Sequence, residues 1–146
     1  MARDQFRFSF PFRVRYSEID GQRVLFNAHY LTFFDTSITE YFRNLPYDYM
    51  GQVEKTGTDF HTVRALVEFK APVYFDEEIQ VHVRVSRLGR SSITFAFEIH
   101  PAGQEDLRAT GEVVWVNADQ ASHQSTAVPE QLRDKVVAFE GDHLAD

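Results

Sequence analysis

Asp20 stands beside Gly21 and seven residues ahead of Asn27, with Arg23 and Val24 between them. An aspartate can act on an activated carbonyl by drawing a proton from water or by attacking the carbon itself. Asn27 is a residue type that caps helix N-termini, and the backbone N–H groups at such an end carry partial positive charge. A carboxylate close to exposed N–H donors is suited to attack on a carbonyl. An Asp-Gly pair is also a common turn, so the pair alone marks a loop as readily as a site. The other candidates are weaker. His29 and His61 are isolated, and no His-x-x-x-His or carboxylate-rich spacing is present, so no metal is expected.

The elements that must hold Asp20 are plain from periodicity. Even positions from Phe6 to Tyr16 are apolar and odd ones are mostly Arg, Ser or Pro, the period of a strand with one buried face. Pro11 lacks an N–H and places the early part at an edge or bulge. From Asn27 to Leu45 the pattern turns helical, with Leu31, Phe34, Ile38, Tyr41 or Phe42, and Leu45 at three- and four-residue steps and Tyr30 and Phe33 widening the stripe. Such a rod is roughly 27 Å long, and an apolar arc that wide is better buried against a sheet. Pro46 ends it. A connection over 46–59 with room for a short helical turn follows.

Four alternating runs come next: Val63 to Phe69, Ile79 to Val85, Ile93 to Ile99 and Leu107 to Val116. The links 87–91 and 101–105 are short and contain glycine, which predicts an antiparallel meander. Pro129 to Phe139 reads as a short helix, and Glu140 to Asp146 as a frayed end. The expected fold class is α+β, an antiparallel sheet of about five strands around one long helix, in a single domain over 1–146 with its core at about 6–117 and an extension at 118–146. Aliphatics on the outer sheet face, Leu66, Val114 and Val116, suggest an oligomer.

Composition sets the outer limits. The chain has 146 residues, a net charge of −7, no cysteine, and 14 phenylalanines. That charge argues against nucleic acid as partner, although a local Arg cluster would still hold a phosphorylated small molecule. Without cysteine there is no disulfide and no thiolate chemistry. No run has the length of a membrane span and no signal-peptide core opens the chain, so a cytoplasmic location with no membrane insertion is expected.

The stretch Tyr16-Ser-Glu-Ile-Asp-Gly-Gln-Arg-Val-Leu-Phe-Asn-Ala-His-Tyr30-Leu resembles the signature of the 4-hydroxybenzoyl-CoA thioesterase family, whose fold is called the hot dog. The likeness runs from about Phe12 to Asn117 and includes the hairpin Arg87-Leu-Gly-Arg-Ser-Ser92 and the strand Gly111-Glu-Val-Val-Trp115. It implies an acyl-CoA thioesterase acting on an acyl-CoA or acyl-carrier-protein thioester, with no cofactor beyond the substrate, as a homodimer or homotetramer. Asp20 matches the family's catalytic acid, and the backbone N–H at Asn27 would serve the thioester oxygen. Glu18 occupies the first acidic position and Asp35 matches an acid two turns into the helix, both in supporting roles, with Asp35 the alternative base to Asp20 because some hot-dog enzymes carry their carboxylate on the helix. Tyr30, Phe34, Arg23 and Val24 would line the substrate site, and Arg87, Arg90, Ser91 and Ser92 would meet the phosphates of coenzyme A. Lys70 and Arg64 are lesser candidates for that task. Two positions depart from the pattern: Arg23 replaces the usual glycine and Ile19 a threonine. A positive φ at Arg23 would be strained, unless Gly21 takes the turn. The rival readings are a non-catalytic acyl-CoA or acyl-carrier binding module and a hot-dog hydratase or dehydratase, which would need a His paired with a carboxylate.

Overall fold

The structure, a computed structural model, describes residues 5–144; the outermost ends of the expected domain, 1–4 and 145–146, lie outside it. In chain order it contains β1 (Ser9–Arg13), α1 (Ala28–Asn44), α2 (Tyr49–Thr56), β2 (Thr58–Phe69), β3 (Glu78–Leu88), β4 (Ser92–Pro101), β5 (Ala109–Asp119) and α3 (Glu130–Glu140). The five strands form one antiparallel sheet in the order β1-β3-β4-β5-β2. This is the α+β arrangement of the hot dog fold, with the β3-β4-β5 meander where the glycine-containing links place it.

Inward-facing residues of the strands meet α1 ring to ring. Phe33 stacks on Phe12 at 4.5 Å between ring centres, and Phe34 on Phe97 at 4.2 Å. Tyr41 meets Phe95 edge-on, and Tyr30 meets Phe69 of β2. The helix therefore contacts the sheet from β1 to β2 through aromatic pairs, each worth about 0.5–1.5 kcal/mol beyond its area.

Four local expectations need correction. Tyr16 is 78% exposed, because the strand ends at Arg13 and a 3-10 turn begins at Tyr16. β2 starts five residues before Val63, and a bulge between Thr62 and Arg64 puts Val63 outside the alternation, 59% exposed. Asn27 occupies the N-cap position of α1, yet its side chain makes no capping bond, since its own backbone is already helical (φ −56, ψ −34). Glu140 is fully buried rather than frayed: its Oε2 accepts from the Tyr41 hydroxyl at 2.6 Å and the Val85 N–H at 3.0 Å.

Candidate active site

Asp20 is held by a tight turn. Its N–H donates to Val24 O and its own carbonyl accepts from Arg23 N–H, both at 3.0 Å. Its Oδ1 accepts from Gln22 N–H at 2.8 Å, the local bond that makes Asp a turn residue. The left-handed position falls on Arg23 (φ 63) and not on Gly21, so the strain foreseen for an arginine there is present. Ahead of the turn, the buried Glu18 accepts from the Arg15 N–H and guanidinium at 2.8 and 2.9 Å. The Glu18 carboxylate thus fixes the entry to the turn by binding Arg15.

Behind the turn lies the segment 70–77. Leu25 N–H donates to Val73 O at 2.7 Å, Phe75 N–H donates to Arg23 O at 3.1 Å, and Val24 bridges Tyr74. The Arg108 guanidinium holds that segment with a forked pair of bonds to Glu77 at 2.9 and 3.1 Å and a third bond to Pro72 O at 2.7 Å. Neither Arg108 nor Glu77 stands out in the sequence. They lie 31 positions apart on different connections, and no short-range pattern joins them.

Asp20, Asn27, Val24, Tyr30, Phe69 and Lys70 line one cleft of about 340 Å³. Among the described residues no acceptor takes the Asn27 backbone N–H, so this donor at the start of α1 is available. Asp20 also forms one wall of a neighbouring cleft of about 330 Å³ with Tyr16, Arg23 and Phe75. Tyr30 is 3% exposed, and its hydroxyl sits above the ordinary tyrosine range. Burial is the main cause; the Arg108 charge pulls the other way and the Asp20 charge adds to the rise. Tyr30 therefore stays protonated at neutral pH. Exposed rings of Tyr16, Tyr74, Phe75 and Phe69 give the mouth an apolar rim.

Other expected residues lie elsewhere. Phe34 is fully buried in the core. Asp35 is exposed and lines a separate cleft of about 350 Å³ between α1 and β2. The Arg87–Ser92 hairpin is at the far end of the sheet: Ser92 pairs with Val116, whereas Ile99 pairs with Ala109 near Asp20. That is roughly 23 Å along the strand at about 3.3 Å per residue. Its backbone is tied by Arg133 to Gly89 O and by Val128 N–H to Arg90 O, while the Arg87 and Arg90 side chains stay exposed. Arg64 pairs with Glu112. A buried His–Glu pair does exist, His100 Nε2 to Glu98 Oε1 at 2.9 Å. It lies on the sheet face turned away from α1, so no acid–base pair of that kind joins Asp20. No group of residues suited to a metal ion is found among the described residues, nor a helix long and apolar enough to cross a membrane.

The family model described as the thioesterase-like superfamily matches residues 14–136. The acyl-CoA thioesterase YbgC of Haemophilus influenzae is 31% identical over 88 residues, 60% of this chain and 65% of that protein, so the match spans just under two thirds of the relative's length. The acyl-CoA thioester hydrolase YbgC of Escherichia coli O157:H7 is 24% identical over 125 residues, covering 86% of this chain and 92% of that one. Among solved structures, the PA5185 protein of Pseudomonas aeruginosa superposes with a TM-score of 0.81 at 28% identity over 93% of both chains.

Proposed function

The chain belongs to the thioesterase-like superfamily, and from that premise we propose that it is an acyl-CoA thioesterase with Asp20 as its reacting carboxylate. The observation that carries this reading is the shared cleft: the Asp20 carboxylate and the unpaired Asn27 N–H line the same space. A thioester needs little activation. Asp20 takes a proton from water as the oxygen attacks the carbonyl carbon, or attacks that carbon itself and is released by water. Either route puts negative charge on the carbonyl oxygen, and the Asn27 N–H with the positive end of α1 receives it. The C–S bond then breaks, the sulfur takes a proton, and the products are a carboxylic acid and free CoA. Names of the two relatives support the class of reaction.

Lys70 lines the same cleft and offers a cation to the anionic part of a CoA ester. The Arg87–Ser92 hairpin reaches such a site from a second copy. β2 is an edge strand with Val63, Leu66 and Phe69 exposed, an edge that invites pairing. A two-fold dimer through it runs the β2 strands antiparallel and brings the second copy's hairpin to the end of the sheet where this chain has Asp20. The same pairing closes the Asp35 cleft against the second copy.

The test is release of free thiol from a panel of acyl-CoA and acyl-carrier-protein thioesters, with subunit count by light scattering. Turnover of at least one thioester is expected; none on the whole panel contradicts the reading. Arg87→Ala with Arg90→Ala is expected to raise KM for CoA esters in the dimer, and Lys70→Ala likewise. An unchanged KM in both removes these cations from the site.

A further inference from the structure

We infer that Arg108 is the positioning residue for the Asp20 turn, and that His100, through the backbone N–H of Asp106, seats the carboxylate on which Arg108 Nε rests. The inference rests on the reading of Asp20 as the reacting group, but its geometry stands apart from that chemistry.

Arg108 is the last residue before β5, and its side chain is 12% exposed. Its backbone and side chain hold different parts of one segment. The Arg108 carbonyl accepts from the N–H groups of Lys70 and Ala71 at 2.9 and 3.0 Å. Its guanidinium takes Pro72 O and both Glu77 oxygens. Glu77 in turn accepts from Tyr74 N–H at 2.8 Å, and its own carbonyl accepts from Val14 N–H at 2.9 Å. The segment 70–77 is thus gripped at both ends by one residue. The Asp20 turn hangs on it through Leu25, Phe75 and the Val24–Tyr74 bridge. A lysine cannot reproduce this, because one ammonium does not present the planar fork that spans a carboxylate and a carbonyl.

The fourth guanidinium bond runs from Arg108 Nε to Asp106 Oδ2 at 3.0 Å. Asp106 is itself placed by its N–H, which donates to His100 Nδ1 at 2.9 Å. That donor fixes the imidazole tautomer: Nδ1 keeps its lone pair, so the proton sits on Nε2 and is donated to Glu98. The ring is fully buried. Around it are Glu98 on its own strand, His82 of β3 edge-on at 5.4 Å between ring centres, and Asp106 from the β4–β5 connection. Arg84 lies beyond His82, over Phe6. A buried imidazole on the far face of the sheet is thereby linked, residue by residue, to the turn that carries Asp20.

The experiment uses the full chain, isotope-labelled, without substrate. In Arg108→Met, amide exchange at Leu25 and Phe75 is expected to rise by about tenfold or more, as for a local opening, while Gly89 and Asn117 at the far end keep wild-type rates. Arg108→Lys and Glu77→Gln, milder changes that protect against loss of the fold, are expected to raise exchange at the same two amides. Equal acceleration at Gly89 and Asn117, or none at Leu25 and Phe75, overturns the positioning role. His100→Phe, which offers the Asp106 N–H no acceptor, is expected to raise exchange at the Asp106 amide by about tenfold or more; an unchanged rate there overturns the part given to His100. None of these readouts involves a thioester, so a failed activity test and a failed exchange test point to different errors.

Discussion

The ring of Phe34 occupies the space that a side chain on Gly111 would need. A Cβ built there would collide with Cε2 and Cζ of Phe34, which lies flat on Phe97 with 12° between ring planes. Glycine in the middle of a strand has a steric reason here: a ring of α1 packs directly against the β5 backbone at this point. The contact sets how deeply α1 sits in the sheet, and thereby where its N-terminus stands relative to Asp20.

Gly111→Ala is therefore expected to destabilise the fold by about 1–3 kcal/mol, the usual cost of overpacking. Phe34→Ala removes the opposing ring and is expected to cost about 3–5 kcal/mol. Urea unfolding of the two single variants and the double variant checks this. The double variant is expected to lose less than the sum of the two, since the added methyl then finds room beside the missing ring. Strict additivity would contradict the contact.

Glu140 gives the fold a pH dependence of known sign. Burial raises its carboxyl above the ordinary range, against the opposing pull of Tyr41, the Val85 N–H, Arg84 and His143. A raised folded value means that the folded state binds the proton more tightly than the unfolded chain. The associated stability is complete below the ordinary glutamate range, about pH 4.3, and is lost as pH rises through the folded value, at about 1.4 kcal/mol per pH unit of difference. Glu140→Gln keeps an oxygen for Tyr41 and Val85 and has no proton to lose. Its stability relative to wild type is expected to rise with pH across that window, as read by denaturation at several pH values.

Arg23 at φ 63 carries the strain of a left-handed backbone, about 1–2 kcal/mol. Arg23→Gly removes it but adds the chain entropy of glycine, about 0.5–1 kcal/mol. The net expectation is a gain of up to about 1.5 kcal/mol, visible as a higher Tm. Arg23→Ala keeps the strain and is expected to show no gain.

Much of this molecule is legible in its sequence, and the exceptions share a cause. The alternation of Ile79 to Val85 and Ile93 to Ile99 maps directly onto β3 and β4, because a strand with one buried face imposes its period on the chain. The α1 stripe is readable for the same reason. Asp20 and Asn27 are close in sequence, so their shared cleft follows once strand and helix are placed. Arg108 with Glu77, and Glu140 with Tyr41, join residues 31 and 99 positions apart. Such pairs leave no periodic trace, and Arg108, Glu77 and Glu140 alone look like ordinary surface charges. Asn27 shows the limit of residue type as a guide: it stands at the cap position, but its backbone angles deny its side chain the capping bond.

The central claim is that Asp20 reacts in a cleft where the Asn27 backbone N–H receives the charge. Its most direct test is kcat/KM of Asp20→Asn on the best thioester of the panel. Asparagine keeps an oxygen for the Gln22 N–H bond, so the turn is retained while the base or nucleophile is lost. A fall of about 10²–10⁴-fold is expected with the melting temperature nearly unchanged; equal kcat/KM for wild type and Asp20→Asn would contradict a reacting role for Asp20.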